Sequence, residues 1–150
     1  MATLKVGEIW HDARYYLRAD GQYMSKYLLV LAKAPKGDDV ICAAFTSQPN
    51  GLTISPACNQ GPPRAGYFVG IPPPPFTKQT WVDFSSVSTE DELDIAYRVA
   101  NGRYTKTSTS LSPQLFCSVL RCLCQCGLDD LTQRQRVWAQ EAIAMLNCPP

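Results

Sequence analysis

Two uninterrupted apolar runs constrain this chain more than any other feature: Tyr27 to Ala32 (YLLVLA) and Val40 to Phe45 (VICAAF). Runs of that length, rich in branched aliphatic and aromatic side chains, fit buried strands. Between them stand Pro35, Lys36, Gly37, Asp38 and Asp39, residue types that build turns. The pair therefore predicts a β-hairpin at the heart of the fold.

Further strands are predicted at Val6 to Trp10, Gly66 to Ile71 and Thr80 to Phe84. His11 to Ser25 is polar and aromatic and holds an Asp20-Gly21 turn signal, which reads as a long loop. Residues 48–64 are rich in Pro, Gly, Asn and Gln and read as a second loop. The prolines from Pro72 to Pro75 cannot donate to a sheet ladder, so they form a stiff connector or edge segment.

Residues 88–107 carry two patterns. Ser88-Thr89-Glu90-Asp91-Glu92 has the form of a helix start. Leu93, Ile95, Tyr97 and Val99 alternate with more polar or smaller neighbours, and Asn101-Gly102 is a hairpin turn signal. The alternation is taken here to indicate a hairpin. Beyond it, Ser112 and Pro113 suit an N-cap and first helical position, and Gly127 suits a terminator. This places one helix over 112–126, with Leu115, Val119 and Leu123 as its stripe. Thr132 with Gln135 forms a capping box for a second helix over 132–146, whose apolar face is Trp138, Ala142 and Met145.

A length of 150 residues predicts a single domain. A net charge of +1 does not announce a nucleic-acid partner, so any such site must be a local patch. No run reaches the roughly 18 apolar residues of a membrane helix, and Met1 to Trp10 lacks a secretory pattern. Seven cysteines at irregular spacing, with no leader, predict free and mostly buried thiols in the reducing cytoplasm. Cys117, Cys122, Cys124 and Cys126 lack the paired spacing of a zinc site and read as small apolar helix residues. The single His11 cannot anchor a histidine metal site, and no glycine-rich phosphate loop or nucleophile elbow is present. No metal or cofactor is expected.

The order of these segments resembles the MazF/PemK toxins. Val6-Gly7-Glu8-Ile9-Trp10 is similar to the family's opening strand. Lys26, leading Tyr27 to Leu31, stands where the family has an arginine-proline pair before an apolar strand. Val40 to Phe45 followed by Thr46-Ser47 resembles its next strand, Ala65-Gly66-Tyr67 a later one, and Asp83 stands where PemK-like members have an aspartate. The resemblance covers residues 6–125 and implies a small SH3-like barrel over 6–107 followed by the helix from Pro113, with the final helix from Thr132 as an extension.

The resemblance further implies a metal-independent endoribonuclease of a toxin–antitoxin system. Such a site needs a base for the RNA 2′-hydroxyl, an acid for the leaving oxygen and donors for the phosphorane charge. By resemblance Lys26 supplies the cation, Thr46 and Ser47 the donors, and Asp83 the proton acceptor. Arg14, Arg18, Arg64 and Lys78 are candidate RNA-binding charges. Tyr23, with Tyr15, Tyr16 and Tyr27, could stack on unpaired bases. The implied partners are single-stranded RNA, an antitoxin peptide or protein, and a second copy of the chain, without DNA or membrane. Three positions depart from the pattern: lysine replaces the forked arginine, Tyr27 replaces the proline, and Trp81 stands where a second arginine is usual. Plainer roles fit the same residues: Thr46 and Ser47 closing a turn, Asp83 on an outer sheet face, Lys26 at a strand edge, and the tyrosines packing over the barrel. The alternatives are thus a fold that binds RNA or a protein without cutting, or an interaction module built on the helical tail and the proline run.

Overall fold

The computed structural model describes residues 4–34, 39–127 and 131–150. The elements run β1 (Glu8–Leu17), β2 (Tyr23–Lys33), β3 (Val40–Thr46), β4 (Cys58–Asn59), β5 (Gly66–Gly70), β6 (Thr80–Glu90), α1 (Glu92–Ala100), β7 (Tyr104–Ser110), α2 (Pro113–Gln125) and α3 (Gln133–Met145). The apolar runs form β2 and β3, which pair antiparallel with Leu28 opposite Ala44 and Leu29 opposite Ala43. Apart from Asp39, the turn expected between them lies outside the described residues.

β3 is buried along its whole length because both sheet faces are covered. On one face Leu29, Phe45, Val82 and Phe84 pack under Val119, Leu120 and Leu123 of α2. On the other, Leu28, Cys42 and Ala44 pack with Trp10, Tyr104 and Ile95 of α1. A run buried on both faces needs no polar alternation, which is why these two strands read so plainly.

The seven strands form one antiparallel sheet in the order β4-β5-β6-β3-β2-β1-β7. It is open, with β4 and β7 as edges, so the closed barrel expected over 6–107 does not form. Closure removes edges only if the terminal strands pair. Here β4 offers a two-residue ladder, already used by β5. A disulfide between Cys58 of β4 and Cys122 ties that edge to α2 instead.

Three local expectations are also corrected. The loop expected over 11–25 is a long arm: β1 continues to Leu17 and β2 begins at Tyr23, leaving a short turn closed by Arg18 N to Gln22 O at 2.8 Å. The outer arm is exposed, so its strands leave no burial alternation to read.

The hairpin expected within 88–107 is β6, α1 and β7 in succession. Asp91 caps α1 by accepting from Asp94 N at 2.8 Å. The alternating set contains a helical subset, since Ile95 is buried and Val99 packs beside it four residues on, while Leu93 and Tyr97 are exposed. Asn101-Gly102 is indeed a turn, but it joins a helix to a strand.

The expected free thiols are the third correction. Cys58–Cys122 and Cys117–Cys148 are disulfides, and Cys42, Cys124 and Cys126 are free. Pairing depended on bringing residues 64 and 31 positions apart within reach, which spacing does not reveal.

The terminal helices lie close to where the capping residues put them. Ser112 Oγ accepts from Leu115 N at 3.2 Å, and Thr132 and Gln135 form the reciprocal capping box. Of the expected face of α3, Ala142 is buried and Trp138 packs against the core, but Met145 is largely exposed, and Gln135 and Ala139 complete the buried side. Among the described residues no helix is long and apolar enough to cross a membrane.

Candidate functional site

Extending the β2–β3 register by two residues sets Lys26 opposite Thr46 at the open end of the hairpin. There the chain turns out of β3 through Ser47 and Gln48, and the segment after the proline run returns through Phe76, Thr77 and Lys78. Together they line a groove of about 510 Å3. Its aromatic residues interlock: Phe76 lies 4.9 Å from Tyr27 and 5.1 Å from Phe45, centroid to centroid. Tyr16 and Met24 of the arm also line it.

Lys26, Thr46, Ser47 and Lys78, from three separate segments, therefore meet in one groove. Lys26 is half-buried, and Ser47 and Lys78 are exposed. Neither lysine has a salt-bridge partner among the described residues. Thr80 pins the approach by donating from Oγ1 to Lys78 O at 2.8 Å. Thr46 is occupied locally: its hydroxyl accepts from Gln48 N at 3.1 Å and donates to Gln48 O at 3.4 Å. It closes a turn, as its plainer role required, while the exposed Ser47 hydroxyl makes no hydrogen bond among the described residues.

Asp83 does not join them. It faces Ala44 and Gly66 across the ladder, is not among the groove-lining residues, and lies 3.4 Å from Arg64 Nη2. Arg64 is thus spent on an internal ion pair. Arg14 and Arg18 sit on the arm. Arg14 lies over the Tyr23 ring at 5.7 Å, and Arg18 contacts Asp20 at 3.5 Å. Tyr23 is exposed beside them, whereas Tyr27 is packed between His11 and Phe76. Trp81 is buried and donates from Nε1 to Thr53 O at 2.9 Å, anchoring the 48–64 loop.

A second polar cavity, about 400 Å3, opens on the α1 side of the sheet and went unseen in the sequence. Asp12, only 1% exposed, accepts from Arg103 Nε at 2.7 Å and Nη2 at 3.0 Å. Glu90 accepts from both Arg98 and the Tyr104 hydroxyl. Burial first, then the Glu90 charge, pushes the Tyr104 phenol far up, so it stays a proton donor. Burial and Glu90 likewise raise the Cys42 thiol well above its ordinary value. Asp12 fell in the supposed loop and Arg103 in the supposed hairpin, so no sequence signal joined them. No group of three or more His, Cys, Asp or Glu side chains placed to hold a metal occurs among the described residues.

Comparison with protein-family models, with curated proteins and with solved structures finds no match. The groove presents two unpaired ammonium groups and a free hydroxyl over an aromatic floor, beside an arm carrying Arg14, Arg18 and Tyr23. Such a surface suits a chain of phosphates bearing unstacked bases.

Proposed function

We propose that the chain binds single-stranded RNA in the Lys26–Lys78 groove and cleaves it there without metal, in the manner of the MazF/PemK toxins that its segment order resembles. The observation that carries this reading is the convergence of Lys26, Thr46, Ser47 and Lys78. In a 2′-hydroxyl transesterification the two ammonium groups oppose the growing phosphorane charge and the Ser47 hydroxyl donates to a non-bridging oxygen. The arm supplies stacking and further phosphate contacts through Tyr23, Arg14 and Arg18. A cytoplasmic toxin acting as a homodimer under an antitoxin belongs to the same proposal. The two disulfides pull against that location, since such bonds persist in oxidising compartments.

Asp83 favours a second reading, binding without cleavage. Among the described residues the groove lining contains no carboxylate or imidazole, and Asp83 is held by Arg64. Cleavage therefore requires Asp83 to leave that ion pair, or another base. End-labelled single-stranded RNA incubated with the protein in EDTA separates the two. The first reading predicts fragments ending in 2′,3′-cyclic phosphate, lost in Lys26→Ala; loss in Asp83→Asn as well identifies Asp83 as the base, and persistence there assigns another. Intact but bound RNA selects the second, and RNA neither bound nor cut refutes both.

A further inference from the structure

The cavity around Asp12, Glu90 and Asp94 lies along the same strands as the groove. β2 contributes Leu28 to the cavity and Lys26 to the groove, and β3 contributes Ala44 and Thr46. Two residues along a strand span about 7 Å. On β1 the neighbours Tyr15 and Tyr16 divide between the two, Tyr15 to the cavity and Tyr16 to the groove. We propose that this cavity is a base pocket of the RNA site and selects a nucleobase carrying an exocyclic amino group, an inference that rests on the RNA reading of the groove.

Its charge argues for a base and against a phosphate. Three carboxylates, Asp12, Glu90 and Asp94, face two guanidinium groups, Arg98 and Arg103. Both guanidinium groups are committed, Arg103 to Asp12 and Arg98 to Glu90. The surplus is the Asp94 carboxylate, exposed at the first turn of α1 and without a side-chain partner among the described residues. The Ser88 hydroxyl is exposed and unpartnered on the same lining. A fixed anion repels phosphate and accepts from an amino group, the contact by which Asp and Glu recognise the cytosine N4 amine.

The pocket is also built to hold its shape. The Asp12–Arg103 pair and the Glu90–Tyr104–Arg98 set join β1, β6, α1 and β7 around it. Its volume lies at the lower end of the range for small-molecule sites, suited to a single ring system. Tyr15, half-buried in the cavity lining, offers an aromatic face to a bound base.

Cytosine and uracil test this cleanly, since the amine of one is the carbonyl oxygen of the other. Fluorescence anisotropy of labelled oligocytidylate and oligouridylate of equal length should show cytosine bound about tenfold tighter. Asp94→Ala should abolish the preference, the two oligomers then binding with equal affinity, with the folded state retained in circular dichroism. Equal binding of the two oligomers by the parent, a preference for uracil, or a preference for cytosine that survives Asp94→Ala would overturn the base pocket and leave the groove reading standing. Binding of neither oligomer overturns both.

Discussion

Replacing Asp12 with alanine tests the construction of the polar face. Asp12 is 1% exposed, holds Arg103 through both carboxylate oxygens at 2.7 and 3.0 Å, and accepts from Arg14 N at 3.0 Å. It thereby staples β1 to the α1–β7 turn, 91 residues away in the chain. Removing one partner of a buried pair costs about 3–5 kcal/mol, chiefly because the remaining charge is left uncompensated. The Arg103 side chain keeps 26% of its surface in water, which softens that penalty. The lower end, about 3 kcal/mol, is therefore expected. Urea denaturation at neutral pH should show the midpoint falling with little change in slope. Asp12→Ala combined with Arg103→Ala should cost less than the sum of the single changes, because the double variant leaves no orphaned charge. A loss below about 1 kcal/mol for Asp12→Ala, or strict additivity in the cycle, would refute the reasoning.

Gly66→Ala should destabilise by about 1–3 kcal/mol in the same urea assay, because the added methyl would meet Val82 O at 2.5 Å, a backbone atom of the ladder that cannot yield. Alkylation of the unfolded, unreduced protein followed by mass measurement should label three cysteines, with all seven labelled only after reduction. Joint replacement of Cys58 and Cys122 by serine should lower stability by about 2–5 kcal/mol, read as a reduced urea midpoint. Glu8 gives a pH test. Burial pulls its carboxyl upward, but donors from Lys5 N, Trp10 Nε1 and Lys106 outweigh it and hold the group below the ordinary 4.5. A lowered folded value means stability that is present above the ordinary value and lost as pH falls through the folded one. Glu8→Gln should therefore shrink the stability difference between neutral and acid pH in paired thermal melts.

The parts legible in the sequence were those fixed by local chemistry. The β2 and β3 runs, the Ser112-Pro113 start and the Thr132–Gln135 box each depend on residues within a few positions of one another. The two C-terminal helices follow from their caps. The site was partly legible: Lys26, Thr46 and Ser47 stand at strand ends whose pairing the hairpin dictates, and Lys78 joins them through a returning loop. Misreadings arose where long-range pairing decides. Asp83 was drawn to Arg64, Cys58 to Cys122, and Asp12 to Arg103, and none of these partners can be chosen from spacing. The 93–99 segment failed for a different reason, since alternate residues include every fourth one and the Asp91 cap settled which period applied.

The central claim is that the Lys26 and Lys78 ammonium groups neutralise the backbone of one RNA strand in the groove. Measuring oligonucleotide affinity against salt concentration for the parent and for Lys26→Ala combined with Lys78→Ala tests it directly. For single strands each lost phosphate contact lowers the steepness of log affinity against log salt by about 0.7. The account predicts a drop of about 1.4 in the double variant, with the fold unchanged. An unchanged salt dependence, with RNA still bound, would place the nucleic acid elsewhere on the molecule and contradict it.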